Sequence, residues 1–396
     1  MAKKFLKDVP VRDRLVFVRN DFNVPLDAAL EITDDTRIQA AVPTFRYLID
    51  NGARVVCASH LGRPKGEVIP DCSLAPVAKR LGERLGRPVA FCPETVGAKA
   101  EKAKAKLKAG KVLLLENLRF HPGETRNDPA FAAELARGID LYVDDAFGAC
   151  HRAHASIDQI TRFVPMAVAG LLLKKEIDFL SMAADNPPDN YLIILGGAKV
   201  SDKLPLLTHL VTKADTILIG GAMASTFLLA QGMEVGSSRV EKDCLGLCRE
   251  ILQKAEGTGV RILLPKDHIA ATKVEPNITV RIIKPGEGIP GEMMGLDIGP
   301  ETVEQYRAEI ERAALIFWNG PMGVFEVDTF SGGTMEIAAA VAGSRATTIV
   351  GGGDSIAAVN KAGVAQRISH ISTGGGAALE FLAGDKLPGI EALTEA

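Results

Sequence analysis

Four short segments in the first half of the chain bring together side chains that bind anions: Arg19-Asn20-Asp21-Phe22-Asn23, His60-Leu61-Gly62-Arg63, Glu116-Asn117-Leu118-Arg119, and Asp144-Asp145 with His151-Arg152 just beyond. Arginine forks onto phosphate or carboxylate oxygens, while Asp21 and Asn23 suit hydroxyl groups. Together they predict a small, hydroxylated, multiply anionic ligand, with Arg37 near enough along the chain to join. Asp144-Asp145 could hold a metal, but capping of the strand end or pairing with Arg152 fits two adjacent carboxylates better.

The second half carries different chemistry. Gly196-Gly197-Ala198-Lys199-Val200-Ser201-Asp202-Lys203 places two lysines four residues apart. Gly220-Gly221, Asn319-Gly320-Pro321 followed by Glu326, Gly351-Gly352-Gly353-Asp354-Ser355 and Thr373-Gly374-Gly375-Gly376 each follow an apolar run. Glycine turns that open helices expose backbone N–H groups and the positive end of the helix dipole, which suits nucleotide phosphates; close helix–strand packing is the plainer use of the same glycines. Asp354 suits a magnesium ion carried by such phosphates. No GxxxxGK[ST] occurs, because the only Gly-Lys pair, Gly110-Lys111, runs into Val112. None of the glycine turns named above completes GxGxxG either, which excludes a P-loop enzyme and weakens a nicotinamide dehydrogenase.

Side chains so scattered in sequence need a scaffold that returns strand ends to one edge. Short apolar runs recur at Leu15–Val18, Arg54–Ala58, Val89–Cys92, Val112–Leu115 and Leu141–Val143. They recur again at Tyr191–Leu195, Thr216–Ile219, Arg261–Leu264, Leu315–Trp318, Thr347–Val350 and His370–Ser372. Most lack in/out alternation and alternate with amphipathic stretches such as Leu74–Leu85 and Val303–Arg312, as parallel strands covered on both faces require. Eleven strands exceed one comfortable open sheet, so the prediction is an α/β chain of two doubly wound parallel-sheet (Rossmann-like) domains. The helix predicted over Leu171–Ala184 and the turn-rich Asp185–Asn190 form the hinge between them. The expected division is residues 1–170, a connection over 171–189, and residues 190–379, with 380–396 returning to the first domain.

The 396 residues, 47% hydrophobic and 24% charged, read as an ordinary globular protein. Residues 1–170 hold 26 Lys and Arg against 21 Asp and Glu, whereas the remainder is acidic. The basic half is therefore expected to meet the anion. The run Lys99, Lys102, Lys104, Lys106, Lys108 and Lys111 has no interleaved aromatics and reads as a solvated helix face, not a nucleic-acid patch. Six cysteines fit neither a disulfide framework nor a zinc ribbon, and the longest apolar run, Phe163–Leu173, is too short to cross a bilayer. The expectation is a cytoplasmic protein with no nucleic-acid or membrane partner.

Taken in order, these motifs resemble the phosphoglycerate kinase family from about residue 5 to Glu391: Asp21-Phe22-Asn23-Val24-Pro25, His60-Leu61-Gly62-Arg63-Pro64, Glu116-Asn117-Leu118-Arg119-Phe120, Asp145-Ala146-Phe147-Gly148, His151-Arg152-Ala153-His154-Ala155-Ser156, Gly196–Lys203, Trp318-Asn319-Gly320-Pro321 and Gly351-Gly352-Gly353-Asp354. The resemblance implies reversible, magnesium-dependent phosphoryl transfer between ATP and the carboxylate of 3-phosphoglycerate, by a monomer with no tightly bound organic cofactor. It implies phosphoglycerate contacts at Asp21, Phe22, Asn23, Arg37, His60, Leu61, Gly62, Arg63, Arg119 and Arg152. It implies nucleotide contacts at Lys203, Gly220, Gly221, Gly295, Glu326, Gly352, Gly353, Asp354 and Ser355, with Asp354 anchoring magnesium. Arg37, Lys199, Lys203, Gly352 and Gly375 are expected to serve the transfer itself. The sequence departs from the usual pattern at Asn20, Ser355 and Glu292-Met293. A non-enzymatic, two-lobed sugar-phosphate binder is the alternative, and the second half's glycine turns and lysines argue against it.

Overall fold

The structure, a computed structural model, describes residues 3–396. Its first sheet is built from β1 (Leu15–Asn20), β2 (Arg54–Ala58), β3 (Val89–Cys92), β4 (Val112–Leu115), β5 (Leu141–Asp145) and β6 (Ala167–Ala169). The helices α1 (Thr36–Asp50), α2 (Ala75–Leu85), α3 (Ala98–Lys106) and α4 (Pro129–Ala136) intervene. All strand pairs are parallel, in the order β3-β4-β2-β1-β5-β6. The strands are apolar on both faces because helices cover both. Val16, Val18, Val55 and Val143 pack with Ile38, Phe45 and Leu81 in one buried cluster.

Helix α5 (Leu171–Ala184) follows. The second sheet contains β7 (Tyr191–Leu195), β8 (Thr216–Ile219) and β9 (Arg261–Leu263), connected through α6 (Leu204–Leu210), α7 (Gly221–Ala230) and α8 (Leu245–Thr258). A small antiparallel sheet of β10 (His268–Ala271), β11 (Arg281–Ile283) and β12 (Met294–Ile298) comes next, then α9 (Pro300–Arg312). The larger sheet resumes with β13 (Leu315–Asn319), α10 (Gly332–Gly343), β14 (Thr347–Gly351), α11 (Gly353–Lys361) and β15 (His370–Ile371), and α12 (Gly376–Leu382) and α13 (Pro388–Glu391) close the chain. Its parallel order is β15-β14-β13-β7-β8-β9. In both large sheets the connections reverse direction once, between β1 and β5 and between β7 and β13. The crevices at such switch points are where open α/β sheets bind ligands.

The fold class is as the sequence predicts, two parallel six-stranded sheets flanked by helices. The chain divides into two compact units. One runs to Asp178 and resumes over Lys386–Ala396; the other spans Phe179–Asp385. The division therefore falls inside α5.

Several expectations are corrected. β6 is missing from the sequence prediction because three residues, Ala-Val-Ala, are too few to register as a strand within the apolar run around them. The antiparallel sheet is missing because its strands are short and its pairings non-local, His268 lying opposite Ile298. Lys104 leaves the solvated lysine face: it is buried, and its Nζ donates to the Arg137 carbonyl at 3.0 Å and pairs with Glu101 at 2.7 Å. Of the two uses expected for Asp144 and Asp145, capping is the one seen, and pairing with Arg152 is not. Asp145 Oδ1 accepts the Leu172 and Leu173 amides at 2.9 and 3.2 Å, capping α5, while Asp144 Oδ1 accepts the Ala146 amide at 2.9 Å.

Candidate active site

The order β4-β2-β1-β5 makes neighbours of four strand ends far apart in sequence, and with them Arg119, His60, Asp21 and the His151-Arg152 loop. Asp21 forms an ion pair with Arg37, which reaches it from the first turn of α1. Burial works to raise the Asp21 carboxyl, but His60 and Arg37 outweigh it and hold it below the usual range. Asn23 Oδ1 accepts the Gly62 amide at 2.8 Å, locking the β1 and β2 loops together. The Gly62 carbonyl in turn accepts from Arg119 NH1 at 2.7 Å. Phe22 and Leu61 are buried, so they anchor these loops, whereas Arg63 stands exposed.

The electrostatics of this edge suit an anion. Burial, then the charges of Arg19 and Arg152, lower Arg119 to about 10. Burial and the same arginines push His154 down to about 3. His60 is lowered well below its ordinary value, chiefly by burial. Cations that depress one another in a low-dielectric setting are costly unless a ligand supplies the opposite charge.

Arg19, expected at the anion-binding edge, instead joins Glu124 and Ser156 in a buried layer behind it. Arg19 Nε donates to Ser156 Oγ at 2.8 Å, and Ser156 Oγ donates to Glu124 Oε1 at 2.6 Å. Arg19 carries a sequence signal, a charge inside an apolar strand that reads Leu-Val-Phe-Val-Arg-Asn. Ser156 ends the motif that begins at His151, whereas Glu124 sits in a loop that nothing local distinguishes. Asn20, one of the departures from pattern, is buried and accepts from Cys57 Sγ at 3.3 Å.

In the second unit the switch point between β7 and β13 is closed by backbone. Gly221 has φ +65°, and a Cβ there would lie 2.6 Å from the Gly197 nitrogen. The Gly220 and Gly221 amides are spent on Leu195 and Met322 carbonyls at 2.8 Å each, so these glycines serve close packing. Lys203, below the switch point, donates to Asn319 Oδ1. Burial lowers its ammonium to about 8, against the opposing pull of Asp202 and Asp354. Gly352, at φ +91°, passes over Asn319, whose Nδ2 would lie 2.9 Å from an added Cβ. Ser355 Oγ accepts the Gly320 amide at 2.5 Å. Helix α11 opens at Gly353 with no side-chain cap, and its first-turn amides are available to an anion. Lys203, Asn319, Gly352, Asp354 and Ser355 are thus brought together.

The other predicted residues are more dispersed. Lys199 is exposed ahead of a short helical turn, its loop held by Glu241 through the Val200 and Ser201 amides. Gly375, at φ +54°, faces open space before α12, and Glu326 is exposed. Gly295 lies on β12, its amide donating to Ser238 Oγ at 2.9 Å.

The phosphoglycerate kinase family model matches residues 6–385. The chain belongs to the phosphoglycerate kinase family. It is 53% identical over 401 residues to the phosphoglycerate kinase of Koribacter versatilis, covering all of both chains. It is 53% identical over 395 residues to that of Moorella thermoacetica, again covering all of both. Among solved structures, the phosphoglycerate kinase of Coxiella burnetii superposes with a TM-score of 0.91 at 38% identity, covering 98% of each chain. That of Pyrococcus horikoshii gives 0.84 at 35% identity, also covering 98% of each. The activity is accordingly that of a phosphoglycerate kinase, a phosphotransferase acting on ATP and phosphoglycerate. The arginines gathered at the first unit's strand ends suit the phosphoglycerate of such a kinase, and the open start of α11 suits its nucleotide.

Proposed function

We propose that the first unit holds 3-phosphoglycerate at Arg63, Arg119, Arg152 and His60, with Asp21 and Asn23 on its hydroxyl group. Phe22, Leu61 and Gly62 shape the loops around it. The observation that carries this reading is Arg119, a buried guanidinium with a carbonyl for a partner and two other arginines acting on it. In the second unit the nucleotide phosphates meet Lys203 and the Gly352–Ser355 helix start, while Gly220, Gly221, Gly295 and Glu326 frame the rest of the nucleotide.

The acceptor is a carboxylate, ionised at neutral pH, so no general base is required. The work left to the protein is alignment and neutralisation of charge on the phosphoryl oxygens. Arg37 and Lys203 are assigned to the transferring group, with Lys199 and Gly375 supporting it. Donor and acceptor are assigned to different units, so transfer requires the units to bring them in line and exclude water.

Magnesium fits this arrangement as a companion of the nucleotide. Among the described residues no group of three or more metal-ligating side chains exists, and Asp354 offers one exposed carboxylate beside Lys203. One carboxylate plus substrate phosphates is the usual magnesium site. When bound, the ion would neutralise phosphate charge. The six cysteines are all free, in keeping with a reducing, cytoplasmic setting. Among the described residues no helix is long and apolar enough to cross a membrane.

The test is a coupled assay in which the acyl phosphate formed from Mg-ATP and 3-phosphoglycerate is drawn off through glyceraldehyde-3-phosphate dehydrogenase and NADH. NADH loss requiring both substrates and magnesium is expected in wild type. Arg119→Ala should raise the 3-phosphoglycerate KM without changing the affinity for Mg-ADP; an unchanged KM removes Arg119 from the acceptor site.

A further inference from the structure

The loop leaving β13, through Gly323 to Glu326, and strand β12 with Gly295 carry residues assigned above to the nucleotide. Residues outside those assignments hold loop and strand together. Asp297, buried on β12, accepts the Ile298 amide at 2.9 Å and the Gly333 amide, at the first turn of α10, at 2.7 Å. A Cβ on either Gly323 or Gly333 would collide with its carboxylate, so both backbones close directly onto it. Thr334, fully buried on the next position of α10, accepts the Met322 and Gly323 amides on Oγ1 at 3.0 and 3.2 Å. The Val324 amide completes the junction on the Leu296 carbonyl at 2.9 Å.

This is an expensive way to join a loop to a helix. Burial pushes the Asp297 carboxyl up to about 7, with only the two amides opposing it. Apolar packing of the same volume would avoid that cost but would not fix the direction of the backbone amides. What the two polar side chains supply is a set position for the loop relative to β12.

We infer that Asp297 and Thr334 are positioning residues for the nucleotide: they hold the β13 loop between α10 and β12, so that Glu326 and Gly295 are presented together. The inference rests on the nucleotide assignment proposed above. Neither side chain touches the reacting atoms.

The experiment titrates Mg-ADP and, separately, 3-phosphoglycerate into the full chain by calorimetry, with steady-state kinetics alongside. Thr334→Val and Asp297→Asn should each weaken Mg-ADP binding and raise the ATP KM by roughly ten-fold, the scale of one or two lost buried hydrogen bonds. The kcat at saturating nucleotide and the 3-phosphoglycerate affinity should stay within about two-fold, since uniform binding is what is lost. Thr334→Ser, which restores the hydroxyl, should return the nucleotide affinity to wild type. Unchanged Mg-ADP affinity in both variants overturns the inference, as does an equal loss of 3-phosphoglycerate affinity, which marks a general structural role. Where Asp297→Asn fails to fold, the Val and Ser variants at position 334 decide. A wild-type chain that binds no Mg-ADP overturns the nucleotide assignment itself, and this inference with it.

Discussion

Arg19 donates from NH2 to the Nδ1 of His60 across 3.2 Å of buried interior. Arginine has donors and no acceptor, so Nδ1 accepts and the ring proton resides on Nε2. Nε2 lies 3.9 Å from Asp21 Oδ1, on the side of the acceptor edge. A charge hidden in a strand thereby sets which atom of the site histidine donates.

His60 and His151 are both lowered, by burial first, and their neighbouring arginines act in the same direction. A phosphate dianion among those arginines offsets their charge and raises both. Binding of sulfate, a dianion that does not titrate near pH 6 as a phosphate ester does, should therefore take up protons at that pH. Calorimetry in buffers of different ionisation enthalpy measures the number; proton release on binding would contradict the assignment of these histidines to the anion's surroundings.

Arg37 is held by Asp21 in the free protein, which positions it without committing it to substrate. Arg37→Ala should lower kcat by about 10²–10³-fold, as loss of a charge stabilising the transition state does, while changing the 3-phosphoglycerate KM only a few-fold. Near-normal kcat would take Arg37 out of the chemistry.

Lys203, half-buried and lowered to about 8, should be unusually reactive for a lysine amine. At pH 8, trinitrobenzene sulfonate should label it early, and Mg-ADP should protect it. Mass spectrometry of tryptic peptides reads the extent; labelling indifferent to Mg-ADP would place Lys203 outside the phosphate site.

Asp145 caps α5 yet is fully buried, and burial raises its carboxyl from 3.8 to about 7. The folded state thus holds the proton more tightly than the unfolded state does. The resulting stabilisation is full below about pH 4 and is lost as pH rises through about 7. Asp145→Asn keeps an acceptor for the Leu172 and Leu173 amides and removes the titration. Its melting temperature relative to wild type should be higher at pH 8 than at pH 5; equal differences at both would show that Asp145 does not titrate in this window.

The parallel strands were legible because their physics is local. A run such as Tyr191-Leu192-Ile193-Ile194-Leu195 is apolar on both faces only if both are covered, and Gly-Asp-Ser after Thr347–Gly351 announces a helix start. The exposed and half-exposed residues proposed for the site, Arg37, Arg63, Asp354 and Glu326, were chosen for the same reason: charged types follow strand ends where open sheets bind ligands. The antiparallel sheet was not, since β10 gains its meaning only from partners such as Ile283 and Ile298, brought to it by the fold.

The sequence by itself determined the strand–helix alternation, the basic character of the first half and the motif order that marks the family. Tertiary structure alone decided which charges are neutralised. It set Asp145 on a helix start instead of Arg152, Lys104 inside instead of in solvent, and Arg19 behind His60 instead of at the ligand edge. The reason is physical. Hydrophobic periodicity is carried by neighbours in sequence, whereas the energy of a charge depends on burial and on partners that in this chain lie from 27 to 137 residues away.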